Sequence, residues 1–251
     1  MISKHRWPTA ERAAAAGPPS PLPAFACGDN GGVRAAAIVF DFDGLLMDTE
    51  TTMLESWQHE WRQHGLELDV GTFWAQHGGD VTEQRYQRLA AAVGPSYDRE
   101  RSHARRIAYR DELHRRLGLR EGIGAWLRQG RAAGIRLAVA SSSPRSWVRG
   151  HLTAVGRLGD FEFIAGGDEV ALPKPAPDVY MLALDRLRLD AGQAVAVEDS
   201  AHGVAAARDA GLRCIAIPGL HADLARFGRA DLVLASAADL SLAEALARLD
   251  G

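Results

Sequence analysis

Lysine is almost absent from this sequence: of its 29 lysine and arginine residues, only Lys4 and Lys174 are lysine. Arginine therefore carries the general positive charge, and a lysine kept at an internal position such as Lys174 indicates a special role. Cysteine is equally scarce. Cys27 and Cys214 are isolated from each other, which excludes a disulfide framework and a zinc site built on paired cysteines.

The chain also lacks a strong charge of either sign and a long apolar run. Its net charge of −3 gives no reason to expect electrostatic capture of nucleic acid or of an anionic membrane. No apolar stretch approaches the roughly 18 residues that a membrane span needs. With 47% hydrophobic and 24% charged residues, the composition is that of an ordinary globular protein. We expect a cytoplasmic monomer without nucleic-acid or membrane partners.

Residues 1–33 differ in composition from the rest of the chain. They contain clusters of proline and glycine and no periodic apolar pattern, which predicts a disordered tail. We expect no secretory signal in this segment, because no basic start is followed by an apolar run of about 7–15 residues. Two explanations of the segment stay open, a functional tail and an over-long gene start.

The remaining sequence alternates between two patterns. Short apolar runs predict strands at 36–40, 135–140, 161–165, 194–197, 213–217 and 231–234. Amphipathic stretches follow most of these runs, and such alternation implies βαβ units and a parallel sheet. We therefore predict an α/β fold in which residues 34–49 and 119–251 form a Rossmann-like core. Residues 50–118 lack strand signals and have the size of a small helical bundle, which predicts an inserted helical domain.

Two aspartates follow the first predicted strand. Residues i and i+2 of an extended chain point to the same side, so Asp41 and Asp43 face one place. Gly44, directly behind them, lets the backbone turn sharply. Two like charges this close destabilise each other unless a cation or a shared proton intervenes. The pair predicts a metal site or a nucleophile with a general acid, and the simpler alternative is an aspartate-rich turn.

A run of serines follows the second predicted strand. Hydroxyl and backbone N–H groups at such a strand-to-helix turn suit a phosphate oxygen, which makes Ser141 and Ser142 candidates for phosphate binding. A plain structural explanation also exists. Ser143 and Pro144 fit the N-cap and the first position of a helix.

Two further clusters carry charge. Lys174 lies in a proline-stiffened loop, where a compact ammonium is favoured over the fork of arginine. Glu198 and Asp199 follow a later strand, and carboxylates there would face Asp41 if the two strands are close. Oxygen ligands of this kind suit Mg²⁺. Ligands of open parallel sheets bind beyond the carboxyl ends of the strands, and all four clusters fall at or shortly after such ends.

In four motifs the sequence resembles the haloacid dehalogenase superfamily. They are Asp41-Phe-Asp-Gly-Leu-Leu-Met-Asp-Thr49, Val139-Ala-Ser-Ser-Ser143, Lys174-Pro-Ala-Pro-Asp178 and Val197-Glu-Asp-Ser-Ala-His-Gly203. The last three are similar to the subgroup of β-phosphoglucomutases and sugar-phosphate phosphatases. The resemblance extends from residue 36 to about residue 235. It implies that residues 50–118 are a helical cap over the core.

The resemblance also implies a Mg²⁺-dependent phosphatase acting on a small phosphorylated metabolite. Asp41 would attack phosphorus to form an aspartyl phosphate, and Asp43 would protonate the leaving oxygen and later deprotonate water. The implied metal site comprises Asp41, the carbonyl of Asp43, Asp199 and, in or near the set, Glu198. The other phosphate oxygens would be held by Lys174, Ser141 and the Ser142 amide.

Substrate choice would lie in the cap. The segment 78–83 resembles the family's specificity loop, which makes Gly79, Asp80 and Thr82 candidate substrate contacts. Sugar phosphomutases of the family carry an arginine at the position of Thr82 and a histidine at that of Met53, so hydrolysis is predicted here. Arg145 is a further candidate contact, or else an exposed residue at a helix start. A β-phosphoglucomutase-type enzyme and a non-catalytic regulatory protein stay as alternatives.

Overall fold

One parallel sheet organises the computed structural model, which describes residues 35–75 and 81–249. Its strands in these ranges are β1 (Ala37–Phe40), β2 (Arg136–Ala140), β3 (Ile164–Ala165), β4 (Ala194–Glu198), β5 (Arg213–Ala216) and β6 (Leu232–Val233). The order across the sheet is β3-β2-β1-β4-β5-β6, and every neighbouring pair is parallel. The predicted tail, residues 1–33, lies outside the described residues.

Helices connect these strands. They are α1 (Thr49–Arg62), α2 (Val70–Ala75), α3 (Thr82–Val93), α4 (Arg99–His114), α5 (Ile123–Ala132), α6 (Arg145–Ala154), α7 (Asp178–Leu187), α8 (Ala201–Asp209) and α9 (Leu242–Ala247). The first four lie between β1 and α5, where the sequence predicted an inserted helical segment. The predicted α/β fold with a parallel sheet is confirmed. The predicted domain limits, 34–49 with 119–251 for the core and 50–118 for the cap, stay a prediction.

Strand β1 lies in the middle of the sheet and is buried on both faces. Ile38 and Phe40 pack into one apolar cluster, whereas Ala37 and Val39 pack into another. This follows from the period of two along a strand. Parallel sheets are covered by helices on both sides, which explains why the strands read as continuous apolar runs.

The register of the central strands sets where the polar clusters meet. Phe40, the last residue of β1, pairs with Val139 of β2 on one side and with Val197 of β4 on the other. Asp41, Ser141 and Glu198 therefore follow at the same edge of the sheet.

The predicted strand at 161–165 is much shorter in the structure, at Ile164–Ala165. Within residues 35–75 and 81–249 it lies at the edge of the sheet, beside β2. The chain enters it from a 3₁₀ turn over Leu158–Asp160, and hydrogen bonds to β2 already join Glu162 N–H to the Leu137 carbonyl and Val139 N–H to the Phe163 carbonyl, at 2.8 and 3.2 Å.

Candidate active site

Lys174 lies at the centre of a buried group of charges. Its Nζ atom is 2.5 Å from Asp41 Oδ1, 2.6 Å from Glu198 Oε1 and 2.9 Å from the carbonyl oxygen of Ala140. The Lys174 side chain is only 6% exposed. Burial lowers the pKa of Lys174, but the attraction of Asp41 and Glu198 outweighs it, so the pKa lies above its ordinary value. The lysine is therefore charged, and it joins the ends of β1, β2 and β4.

The acids around this lysine outnumber it, so their ionised forms repel one another. Oxygen atoms of Asp41, Glu198 and Asp199 lie within 4.8 Å of one another, and all three residues are buried. Burial raises the pKa of Asp41 to about 8, with Lys174 opposing the rise and Glu198 adding to it. The pKa of Asp199 is raised well above its ordinary value, first by burial and then by Glu50 and Asp41. A cation between the carboxylates would relieve this repulsion.

Glu198 differs from its neighbour because both of its oxygens have protein donors. Oε1 accepts from Lys174 and from the Tyr180 hydroxyl at 2.7 Å. Oε2 accepts from the backbone N–H groups of Asp199 and Ser200, at 3.1 and 3.3 Å. The absence of a side chain at Gly203 leaves room for this carboxylate, which a Cβ there would overlap. Glu198 thus lies in the acidic group predicted to hold the metal, while its hydrogen bonds orient Lys174.

Gly44 allows Asp199 to approach the turn after β1. Its φ of +79° is unfavourable for any residue with a side chain, and a Cβ at this position would overlap the Asp199 carboxylate. The glycine predicted from the motif is therefore required twice, by the turn and by the close contact. For Asp199, no side-chain hydrogen bond is found among residues 35–75 and 81–249, so its oxygens remain available to a ligand.

Three donors from separate parts of the chain hold the Asp43 carboxylate. Oδ1 accepts from the Thr49 hydroxyl at 2.9 Å and from the indole N–H of Trp147 at 3.1 Å. Oδ2 accepts from the Ser143 hydroxyl at 2.6 Å. The predicted N-cap role of Ser143 is wrong, since Pro144 is the residue that precedes α6. The Ser143 hydroxyl instead donates to a carboxylate, which makes the stronger, charge-assisted hydrogen bond.

The two predicted phosphate-binding serines lie beside these acids. Ser141 is buried, and its Oγ accepts from the backbone N–H of Ser143 at 3.0 Å. The Ser141 hydroxyl proton is thereby left to donate towards a ligand. Ser142 is exposed, and both serines line the same cleft as Asp41 and Lys174.

The cleft has a volume of about 970 Å³ and two sides. We call the side formed at the strand ends the floor; it comprises Asp41, Asp43, Ser141, Ser142, Lys174 and Asp199. We call the side formed by the inserted helices the roof; it comprises Met53, Trp57, Trp74, Thr82, Arg106, Arg110 and His114. Substrate would lie between a charged floor and a mixed polar and aromatic roof.

The candidate substrate contacts have different outcomes. Thr82 lies in the roof, as does Met53, whose Sδ is 3.3 Å from Arg85 Nη1. Gly79 and Asp80 lie outside the described residues. Arg145 is not among the residues that line the cleft: its guanidinium is half-exposed and lies 4.0 Å from Glu169. It starts helix α6, which matches the second explanation given for it above.

Sequence reasoning missed several groups that shape the floor. Arg120 donates to the carbonyl oxygens of Gly44, of Ile217 at 3.2 Å and of Pro218 at 3.3 Å, and so ties the turn after β1 to the loop after β5. These acceptors are 76 to 98 residues distant in sequence. Trp147 has a similarly remote partner in Asp43, and Tyr180 donates to Glu198, 18 residues further along the chain. No local pattern marks such residues, because their role depends on how the sheet is ordered.

None of the helices within residues 35–75 and 81–249 combines the length and the apolar character that crossing a bilayer requires.

Known proteins are similar to this chain in sequence and in fold. Residues 38–217 match the haloacid dehalogenase-like hydrolase family. The chain is 33% identical over 217 residues to YhcW of Bacillus subtilis (strain 168), covering 85% of this chain and 97% of that protein. It is 28% identical over 186 residues to the fructose-1-phosphate phosphatase YqaB of Escherichia coli (strain K12), covering 72% and 96%. The crystal structure of CbbY from Rhodobacter sphaeroides with xylulose-1,5-bisphosphate is 32% identical, with a TM-score of 0.66 and coverage of 86% and 100%.

The segment that matches the family contains the whole floor of the cleft. It runs from β1 to the loop after β5 and so includes Asp41, Lys174 and Asp199. The predicted class of enzyme, a phosphoric monoester hydrolase, is confirmed by relatives that are named phosphatases. On the match over most of its length, the chain belongs to the haloacid dehalogenase-like hydrolases.

Proposed function

We propose that this hydrolase is a Mg²⁺-dependent phosphatase that cleaves a small phosphate monoester, with sugar phosphates as the substrate class. The observation that carries the proposal is the buried contact of Lys174 with Asp41, beside Asp199. A transferring phosphoryl group needs positive charge around it, and a buried nucleophilic carboxylate needs a nearby cation. Relatives named above act on fructose 1-phosphate or bind xylulose bisphosphate, which supports the substrate class.

The donor set fits Mg²⁺. Three buried carboxylates share one buried ammonium group, and oxygen donors of this kind, few in number, are what Mg²⁺ prefers. The carboxylates of Asp41 and Asp199 and the backbone carbonyl of Asp43 would hold the ion. When bound, it would neutralise charge on the transferring phosphoryl group.

Asp41 is the proposed nucleophile. Its carboxylate attacks phosphorus, the bond from phosphorus to the leaving oxygen breaks, and water then hydrolyses the aspartyl phosphate to free phosphate and Asp41. Lys174 favours the ionised form of Asp41 that this attack requires, against burial, which raises its pKa. Splitting the reaction in this way replaces one difficult step by two easier ones.

Asp43 and the serines complete the proposed mechanism. Asp43 gives a proton to the leaving oxygen in the first step and takes one from the attacking water in the second. The Ser141 hydroxyl, the backbone N–H of Ser142 and the Lys174 ammonium hold phosphate oxygens at the floor. Their contribution is positioning and charge stabilisation, which dominate phosphoryl transfer.

The roof favours hydrolysis over phosphoryl migration within a sugar. A mutase has to grip the second phosphate of its bisphosphate intermediate, for which arginine is suited by its bidentate fork. At the family position for that arginine, this chain has Thr82, and at the histidine position it has Met53, which does not titrate.

The test is a screen for phosphate release over a panel of phosphorylated sugars and p-nitrophenyl phosphate. We expect turnover with Mg²⁺, its loss in excess EDTA and its recovery when Mg²⁺ is added back. Full activity after verified metal removal would refute the metal role. Rapid conversion of β-glucose 1-phosphate to glucose 6-phosphate with a bisphosphate primer, without free phosphate, would replace the hydrolase by the mutase.

A further inference from the structure

Trp147 is the unusual member of the three groups that hold Asp43. Thr49 and Ser143 are short hydroxyl residues, at the start of α1 and shortly after β2. Trp147 lies on helix α6 and reaches Asp43 Oδ1 with its indole N–H at 3.1 Å. An indole has one N–H donor, which lies in the plane of the ring. The direction of its hydrogen bond to Asp43 therefore depends on the orientation of the whole ring.

The inserted helix α4 contacts the Trp147 ring. The His114 ring at the end of α4 lies 5.4 Å from the indole, and the Arg110 guanidinium, one turn earlier, lies 5.2 Å from it. His151, on the same helix as Trp147, is tilted against the indole at 4.1 Å. The ring therefore lies between α4 and α6, with Asp43 at its N–H.

The two histidines contact each other and connect helices α4 and α6 beside the Trp147 ring. His151 Nε2 is 3.1 Å from His114 Nδ1, and His151 Nδ1 is 3.0 Å from the carbonyl oxygen of Trp147. His114 Nε2 is 2.9 Å from the hydroxyl of Thr52, on helix α1. Contacts of hydrogen-bond length therefore link the Thr52 hydroxyl through the two rings to the backbone of Trp147. Burial is the main cause that lowers the pKa of His114 to about 4, and the neighbouring His151 and Arg110 lower it further. This low pKa agrees with a neutral His114 ring.

We propose that Trp147 is a positioning residue for Asp43, and that His114 and His151 hold its indole ring in the orientation that aims the Asp43 carboxylate. This inference rests on the proposed function, because it assigns Trp147 a role only if Asp43 moves the proton. It links the end of an inserted helix to the acid–base group on the floor of the cleft. Trp147 would matter most where the leaving oxygen needs a proton.

The test compares two substrates that differ in this need. p-Nitrophenyl phosphate releases a stable anion, whereas fructose 1-phosphate releases an alkoxide that has to be protonated. We expect Trp147→Phe to lower kcat/KM for fructose 1-phosphate about tenfold, the size expected for a hydrogen bond to a charged group, and to leave that for p-nitrophenyl phosphate within about twofold. The ratio kcat/KM reports the first phosphoryl transfer and leaves out the later hydrolysis of the aspartyl phosphate.

Trp126→Phe is the matched control. The Trp126 indole N–H donates to the Leu240 carbonyl at 2.9 Å in the core, so this variant loses an equivalent hydrogen bond without touching Asp43. Its two kcat/KM values should change by the same factor. If Trp147→Phe does not fold, His114→Gln carries the test, with the same substrate dependence at about threefold.

Asp43→Asn separates the proposed role of Trp147 from the proposed function on which it rests. If Asp43→Asn lowers kcat/KM chiefly for fructose 1-phosphate while Trp147→Phe and His114→Gln affect both substrates equally, the role of Trp147 is refuted and the proposed function stands. If Asp43→Asn itself affects both substrates equally, the acid–base role of Asp43 fails and the role of Trp147 fails with it. If the wild type releases phosphate from no compound of the panel, the proposed function fails as well.

Discussion

The floor and the roof of the cleft are built in different ways. On the floor, Lys174 is buried and bonded to Asp41 and Glu198, which come from two adjacent strands. In the roof, Arg110 lies on a single helix, is 25% exposed and pairs with its neighbour Asp111. The floor is therefore a preorganised set of charges, whereas the Arg110 guanidinium contacts one neighbouring carboxylate and the Trp147 ring.

This difference assigns separate tasks to the two sides. Groups fixed by neighbouring strands suit the phosphoryl transfer itself, because they need no reorganisation when charge develops. Not every roof cation is free to serve a substrate. Arg106 is buried, donates to the Tyr86 hydroxyl at 2.7 Å and stacks on Trp57, so it holds the helices together. Arg110 remains the roof cation best placed to select among substrates.

The largest effect is expected on the floor, from Lys174→Arg. A planar guanidinium does not fit a site in which a compact ammonium contacts Asp41, Glu198 and the Ala140 carbonyl. We expect kcat/KM to fall by about 10²-fold or more, as when one preorganised donor is lost. Arg229→Lys, the reverse exchange in an exposed pair with Asp209, should leave kcat/KM within about threefold. Near wild-type kinetics of Lys174→Arg would remove Lys174 from the site.

The second effect separates two adjacent acids beside Lys174, Glu198 and Asp199. Asp199→Asn should raise the Mg²⁺ concentration for half-maximal activity about tenfold or more and leave the melting temperature unchanged or higher, because it removes a repelled buried charge. Glu198→Gln should lower the melting temperature by about 5 °C or more, because it leaves the buried Lys174 with one fewer charged partner. Metal titrations and thermal melts of both variants are the test. If the two variants changed metal affinity and melting temperature alike, the separate roles of Asp199 and Glu198 would be contradicted.

A smaller effect is expected in the roof. Arg110→Ala should lower kcat/KM for a sugar bisphosphate by about three- to tenfold, the size of one lost ionic contact. The value for fructose 1-phosphate, which needs the same leaving-group proton but lacks a second phosphate, should stay within about twofold. Arg116→Ala, in an exposed pair with Glu112 beyond the end of α4, is the control. Equal losses for both substrates would show that Arg110 has no part in selection.

The smallest effect concerns pH and stability at the contact between α4 and α6. The pKa of His114 falls from an ordinary value of 6.5 to about 4 in the folded chain. Between these values the unfolded chain binds a proton that the folded chain does not, so this group destabilises the wild type as pH falls from about 6.5 to 4. His114→Gln should remove that component. Because His114 is only partly buried, solvent screening reduces the cost of charging its ring. The difference in melting temperature between wild type and variant should therefore shift by about 2–4 °C in favour of the variant between pH 7 and pH 4.5. A difference that does not change with pH would contradict the burial of a neutral His114.

The floor was more predictable from sequence than the roof, for a physical reason. Asp41, Ser141 and Glu198 each follow an apolar run, and parallel pairing brings the ends of such runs together. A residue such as Trp147 owes its role to contacts between helices that are far apart in the chain, and its own helix looks like any amphipathic helix. Ser143 shows most clearly where prediction from local sequence ends. Local rules predicted that it is an N-cap, but its hydroxyl donates to the Asp43 carboxylate, which only the fold brings close.

The central claim, that phosphate passes through Asp41, is tested most directly by trapping the intermediate. Asp43→Asn should slow hydrolysis of an aspartyl phosphate by roughly 10²–10⁴-fold, while p-nitrophenyl phosphate still phosphorylates the enzyme without acid assistance. After acid quenching in the presence of Mg²⁺, mass spectrometry should find one phosphoryl group on the peptide that contains Asp41, and none when Asp41→Asn is added to the variant. Steady nitrophenol release by Asp43→Asn without a phosphorylated peptide, or with phosphate on another residue, would contradict the account.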